Sequence, residues 1–230
     1  MSPALQQPEV ARRIVESTNR FRAGEELPEV RPSPELARAA RDFAEFMAST
    51  GKYGHTADDK QPRERAAEHG YEACIVAENI GLQFSSRPFG PEILASGFVE
   101  GWKNSKVHRA NLLDPDLMET GVAVAKSEQS GRFYAVQLFG RPKSASIHVQ
   151  IENRAGAMVK YKIGEESYEL DVRVIRTHEL CRPTEFTFLL PAADGTEQTV
   201  VERVSRKTQL VVQRDEAREL TVVRSSRVER

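Results

Sequence analysis

Ala77-Glu78-Asn79-Ile80 is the stretch on which the reading of this chain turns. A carboxylate and an amide stand side by side between Val76-Ala77 and Ile80, and such a pair either bonds backbone amides at a strand edge or faces a ligand. Two histidines bracket it, His55 in Gly54-His55-Thr56 and His108 in His108-Arg109-Ala110-Asn111-Leu112-Leu113. Singly, each residue has an ordinary reading: His55 can follow and cap a helix end, Glu78 and Asn79 can serve a turn, and His108 can be solvated. Together, imidazoles and carboxylates facing one cleft can bind a divalent ion or hold a water, and a carboxylate can fix the tautomer of a neighbouring His.

Around this stretch, 230 residues are enough for one large domain or two small ones with a real core. Apolar residues make up 39% of the chain, and 33 basic against 34 acidic residues leave a formal charge of −1. That balance carries no electrostatic footprint of a phosphate binder, and no nucleic-acid partner is expected. The segment Met1 to Glu9 has no apolar run of the kind an export signal needs, and no later stretch is long enough to form a transmembrane segment. An extracellular or periplasmic location is therefore expected only where a signal peptide has already been removed. Cys74 and Cys181 are too few for a disulfide-stapled scaffold or a thiolate metal site; they form one disulfide between the halves or stand as two buried thiols.

The pattern changes near Pro142-Lys143-Ser144, which divides the chain into 1–143 and 144–230. Upstream, Val10, Ile14 and Val15 mark a helix over 8–20. A stronger helix follows Ser33 as cap and Pro34 at its first position, with Leu36, Ala40, Phe43 and Met47 recurring at helical spacing. A short helix is bracketed by Pro62 and Gly70, and another begins near Pro91, with Leu94, Phe98 and Trp102 on one face and Glu100 on its polar side. Strands are expected over 120–126 and 132–139, which makes this part an α/β unit. Downstream, seven short strands are expected: 146–152, 159–163, 168–174, 185–190, 199–204, 209–213 and 219–223. They fit a small all-β sandwich or barrel, with Asp194-Gly195-Thr196 a turn, Arg176-Thr177-His178-Glu179 a loop, and His178 a surface residue. Arg224 to Arg230 reads as a solvated tail.

The ordered set Gly54-His55-Thr56, Ala77-Glu78-Asn79-Ile80, Gly101-Trp102, His108-Arg109-Ala110-Asn111-Leu112-Leu113 and Thr120-Gly121-Val122-Ala123-Val124 resembles the CAP superfamily over roughly residues 10–141. This is the family of cysteine-rich secretory, antigen 5 and pathogenesis-related-1 proteins, and the likeness is to its bacterial SCP-like branch. The resemblance implies an α-β-α sandwich whose cleft carries two histidines and two acidic residues. By motif, His55, Glu78 and His108 take three of those places, and either Glu100 or Glu119 takes the fourth. Val107-His108 departs from the Gly-His pairing usual in the family. Asn79, Trp102 and Asn111 complete the expected cleft, with Trp102 a core or cleft-wall aromatic and Asn111 a turn or cap residue bonded to backbone. The Asp58-Asp59 pair reads as turn chemistry that a metal shell could recruit.

His-Glu-x-x-His and Gly-x-Ser-x-Gly motifs are both absent, and Ser85, Ser96 and Ser105 are the conceivable nucleophiles. The leading expectation is a non-enzymatic protein whose cleft binds a small-molecule or lipid ligand, or a divalent metal ion (Zn, Mg or Ca) at His55 and His108, with a β-rich accessory domain for contact with a protein. Enzymatic activity stays open. One alternative is a metal-dependent hydrolase with Glu78 as proton acceptor; another is protein or glycan recognition by the β-rich domain.

Overall fold

The computed structural model of the chain describes residues 3–84, 90–192 and 195–225. Ser85, Asp194 of the expected turn and residues 226–230 of the Arg-rich end lie outside those ranges. The chain divides into two compact units, 1–144 and 145–230.

The first unit runs α1 (Pro3–Gly24), β1 (Arg31–Pro32), α2 (Pro34–Thr50), α3 (Pro62–Glu68), β2 (Ala73–Gln83), α4 (Pro91–Lys103), α5 (Lys106–Leu112), β3 (Glu119–Lys126) and β4 (Phe133–Pro142). Its sheet has the order β1-β3-β4-β2; β1 lies parallel to β3, and the other pairs are antiparallel. Helix α2 forms where the cap and the apolar spacing place it. The Ser33 hydroxyl accepts from the Leu36 amide, and Gly51 ends the helix at φ 72°, a left-handed conformation that glycine adopts without strain. Leu36, Ala40, Phe43 and Met47 are all buried.

Because successive strand residues point to opposite faces, this sheet carries two cores. On one face Ile80, Ala123, Val136 and Leu138 pack against Leu36, Phe43 and Met47 of α2. On the other Val122, Val124, Ala135 and Phe139 pack with Ile14 of α1, Phe98 and Trp102 of α4, and Leu112 of α5. Helices therefore cover both faces. Gly121 sets the approach on the α2 side, where a Cβ would lie 2.1 Å from the Ala37 amide nitrogen and 2.2 Å from the Leu36 carbonyl carbon.

The second unit has eight strands: β5 (Ile147–Asn153), β6 (Val159–Ile163), β7 (Glu166–Leu170), β8 (Ile175–Leu180), β9 (Thr184–Pro191), β10 (Glu197–Val204), β11 (Thr208–Arg214) and β12 (Leu220–Arg224). They form two open four-stranded sheets, β10-β9-β6-β7 and β12-β11-β5-β8, neither closed into a barrel. Both sheets contribute to one core, with Val149, Ile151, Leu210 and Val212 from one and Tyr161, Phe186, Phe188 and Leu190 from the other.

Two expectations need correction here. The strand expected over 168–174 ends at Leu170, because the chain turns through Val172 and Arg173, the latter in the left-handed region at φ 63°. Arg176-Thr177-His178-Glu179 is not a loop but the middle of β8, paired antiparallel with β5. His178 is half-buried rather than on the surface, with Nε2 2.6 Å from the Tyr161 hydroxyl and its ring edge-on to Tyr168. Burial, and next the nearby Arg176 charge, hold its pKa below the ordinary imidazole value.

Gly121→Ala is expected to cost more than about 2 kcal/mol, since the added methyl meets helix backbone that cannot rotate away. Urea denaturation checks this; an unchanged midpoint would show that α2 does not sit this close to β3.

Candidate functional site

The candidate site lies along β2, the edge strand of the first unit's sheet. In an antiparallel pair every second residue directs its backbone polar groups away from its partner, so an edge strand leaves carbonyls to be satisfied from elsewhere. Side chains of α4 and α5 do this. The Trp102 indole donates to the Ile80 carbonyl at 2.9 Å, and Asn111 Nδ2 donates to the Glu78 carbonyl at 3.2 Å and to Asn79 Oδ1 at 2.9 Å. Asn79, fully buried, donates in turn to the His108 carbonyl at 3.1 Å. Helix α5 is thus bonded to the strand that carries Glu78, and this sets where the His108 ring stands.

Glu78 and Asn79 point to opposite faces of β2. Asn79 serves α5, while the Glu78 side chain, 1% exposed, reaches the loop between α2 and α3 and the helix α3. One carboxylate oxygen is 2.8 Å from His55 Nδ1, and the other accepts from Arg65 Nη2 at 2.7 Å. Arg65 Nη1 also reaches Asp58 at 2.7 Å, and the guanidinium lies 3.6 Å from the centre of the Phe43 ring. His55 keeps 47% of its side chain exposed, so it projects from a buried anchor into solvent.

The His55 and His108 rings stand close, with centres 6.3 Å apart at an interplanar angle of 50°. His108 is held below the ordinary imidazole pKa, chiefly by burial and next by the charge of His55, so its neutral form is favoured at pH 7. Tyr53 stands close by, with its phenol pKa raised by burial and then by the Glu78 carboxylate.

The structure brings His55, Glu78, Asn79, Trp102, His108 and Asn111 to this edge, with Asn79, Trp102 and Asn111 acting through backbone contacts. The two carboxylates considered for the fourth place lie elsewhere. Glu100 is exposed on α4, ion-paired with Lys103 at 2.7 Å, and lines a groove of about 620 Å³ with Arg13, Glu16 and Arg20 of α1. Glu119 accepts from the Tyr71 hydroxyl at 2.8 Å. Glu78 is level with Gly121 across β4, so Glu119 sits two strands over and two residues along, roughly 12 Å away by strand geometry.

Arg65 and Tyr53 are the site residues that sequence reasoning missed. An arginine on a short charged helix reads as solvated; the available signal was Ala66-Ala67 beside it, which leaves α3 too small to keep a neighbouring side chain off the core. Among the described residues no group of three or more His, Cys, Asp or Glu side chains is placed to hold a metal ion. What the edge does offer is two imidazoles. A tetrahedral ion bound by both at about 2.0–2.1 Å would put their ring centres about 5 Å apart, so the rings, 6.3 Å apart in this structure, would have to close by about 1 Å around it.

Removing the caps on β2 has a direct cost. Asn111→Ala strands the Glu78 carbonyl and Asn79 Oδ1, and a loss of about 1–3 kcal/mol in chemical denaturation is expected. A loss within experimental error would mean that water replaces the amide and that α5 is not held by this contact.

A family model described as the cysteine-rich secretory protein family, CAP, matches residues 15–139. No curated protein sequence matches the chain. Among solved structures, an extracellular protein containing an SCP domain from Bacillus anthracis str. Ames is similar with a TM-score of 0.52 and 22% identity, over 61% of this chain and 44% of that one. An outer surface protein from Borrelia burgdorferi gives a TM-score of 0.52 at 18% identity, over 59% of this chain and 94% of that one. The chain thus spans less than half the length of the Bacillus anthracis protein, and at these identities the likeness concerns the fold. The family match covers more than half of the chain and contains His55, Arg65, Glu78 and His108. On that match, the chain belongs to the CAP family of cysteine-rich secretory proteins.

Proposed function

We propose that the protein is a non-enzymatic binding protein whose CAP unit takes a divalent transition-metal ion, or a small ligand carried on one, between His55 and His108. The β-rich unit serves as an accessory sandwich for contact with a protein partner. The observation that carries the reading is the close pair of imidazoles, one anchored by a buried carboxylate and the other favoured in its neutral form by burial. With Nδ1 engaged by Glu78, Nε2 is the ring nitrogen left for an ion, the arrangement in which a carboxylate orients a metal-binding histidine. Such an ion would act as a Lewis acid that draws in a ligand's oxygen or nitrogen donor.

Only the two imidazoles would hold the ion, so the remaining positions fall to water or ligand. Imidazole donors suit zinc and its neighbours, whereas magnesium and calcium prefer oxygen cages. The charges nearby agree with a cation: Asp58, Glu78 and Arg65 carry two negative charges against one positive. Glu78 is poorly placed to activate a water as a hydrolase would need, because both of its oxygens already accept from His55 and Arg65.

An exported setting is supported by two relatives, one described as extracellular and the other as an outer surface protein, and by the absence of a free thiol at either cysteine. Among the described residues no helix is long and apolar enough to cross a membrane. The β-rich unit exposes Met158, Val172, Val174, Ile175 and Val201, apolar side chains that a protein partner would cover under this reading.

Calorimetric titration of metal-stripped protein with Zn²⁺, Mg²⁺ and Ca²⁺ is the test. Saturable zinc binding with one ion per chain is expected, lost in His55→Ala and in His108→Ala, with little response to magnesium or calcium. Folded wild type that takes up no zinc, or zinc uptake untouched by either variant, would falsify the assignment.

Acidity adds a second check. Protons compete with the ion for imidazole, and His108 is already deprotonated at pH 7, so zinc affinity is expected to fall as pH drops below about 6.5. An affinity that rises on acidification contradicts imidazole ligation.

A further inference from the structure

We propose that Arg65 is a positioning residue of this cleft, fixing both the backbone and the ring of His55. The inference rests on the reading of the cleft as a ligand site and concerns how that site is kept in order. A single nitrogen does the joining: Arg65 Nη2 donates to the His55 carbonyl at 2.9 Å and to Glu78 Oε2 at 2.7 Å. The carbonyl sets where His55 leaves the chain, and the carboxylate receives its Nδ1. The other terminal nitrogen, Nη1, donates to Asp58 Oδ1 at 2.7 Å and to the Lys60 carbonyl at 2.8 Å, so the whole segment 55–60 is gathered onto one guanidinium. Within that segment Asp59 adopts φ 63°, in the left-handed region that aspartate enters more readily than most side chains.

The arrangement asks for arginine specifically. Four acceptors in different directions match the planar fork of donors, and the flat face of the group lies on Phe43 at 3.6 Å. A lysine ammonium supplies the charge but cannot span the carbonyl and both carboxylates while stacking on the ring. Arg65 is 4% exposed, and its Nε, buried as well, has no hydrogen-bond partner. One donor is thus left unsatisfied while the two terminal nitrogens take up their four contacts, and this is a cost that a residue serving only the stability of α3 would not need to carry.

A purely structural arginine would tie the loop down without altering the state of the His55 ring. The positioning role makes a different demand: without Arg65, Glu78 is free to turn away, and the ring loses the partner that selects its tautomer.

The ring state of His55 can be read in the ion-free full chain by long-range ¹H–¹⁵N correlation at pH 8, above the ordinary imidazole range. Wild type is expected to show one dominant tautomer, protonated at Nδ1. In Arg65→Met that form is expected to fall to about half or less of the population, with Arg65→Lys in between. Asp58→Asn, which leaves the arm to Glu78 in place, keeps the wild-type pattern. Should Arg65→Met fail to fold, Arg65→Lys and Glu78→Gln decide, each with the same direction of change expected. A folded Arg65→Lys or Arg65→Met with the wild-type tautomer overturns the proposal, as does a wild type with mixed tautomers. No ion enters this experiment. A wild type that binds no zinc yet shows Arg65-dependent tautomers sinks the metal reading and leaves the positioning role standing.

Discussion

Glu78 is the constraint on which the first unit is arranged. A carboxylate 1% exposed to water is tolerable only with a partner on each oxygen, and losing one partner of a buried pair costs about 3–5 kcal/mol. His55 and Arg65 are those partners, and they come from a loop and from helix α3, whose Arg63 also donates to the Ala73 and Cys74 carbonyls at the start of β2. Meeting the need of one buried group therefore orders the loop 55–60, seats α3 over Phe43 and aims an imidazole at solvent. The same strand residue does further work through its backbone, since its carbonyl is capped by Asn111 of α5. Glu78 thus links the two histidines: one by its side chain, the other through the helix bonded to its main chain.

Strand β2 can play this part because it is the last strand of the sheet. An interior strand would have spent its outward carbonyls on a neighbour, leaving nothing for Trp102 and Asn111 to bind. Glycines within it and in the neighbouring β4 allow close packing. A Cβ at Gly81 would lie 2.6 Å from Phe98, and one at Gly140 would lie 2.3 Å from the Tyr71 hydroxyl. Helix α4 can then come near enough for its indole to reach the Ile80 carbonyl.

Much of this was legible from residue order, and the rest was hidden for identifiable reasons. Helix α2 announces itself through Ser33, Pro34 and a regular apolar spacing, and it forms there. The eleven-residue β2 is disguised, because Glu78 and Asn79 face opposite sides and both are buried by polar contacts rather than by apolar alternation. Strand β8, Ile175-Arg176-Thr177-His178-Glu179-Leu180, is polar enough at an edge to read as a loop; its pairing with β5 supplies the order its composition does not. At the site, the motif strings point to His55, Glu78 and His108, which stand together. Glu100 and Glu119 are near those strings in sequence, yet one is on the outer side of α4 and the other two strands away. Arg65 shows the converse, since a charge deep in a core leaves no periodic signal and is found only from the carboxylate it serves.

Joint holding of one ion by His55 and His108, as proposed, is decided by a double-mutant cycle on zinc affinity. If both rings bind the same ion, each alanine variant removes most of the binding, and the double variant is expected to be hardly weaker than either single one. Losses that simply add would place the two histidines at independent sites and rule out a shared ion.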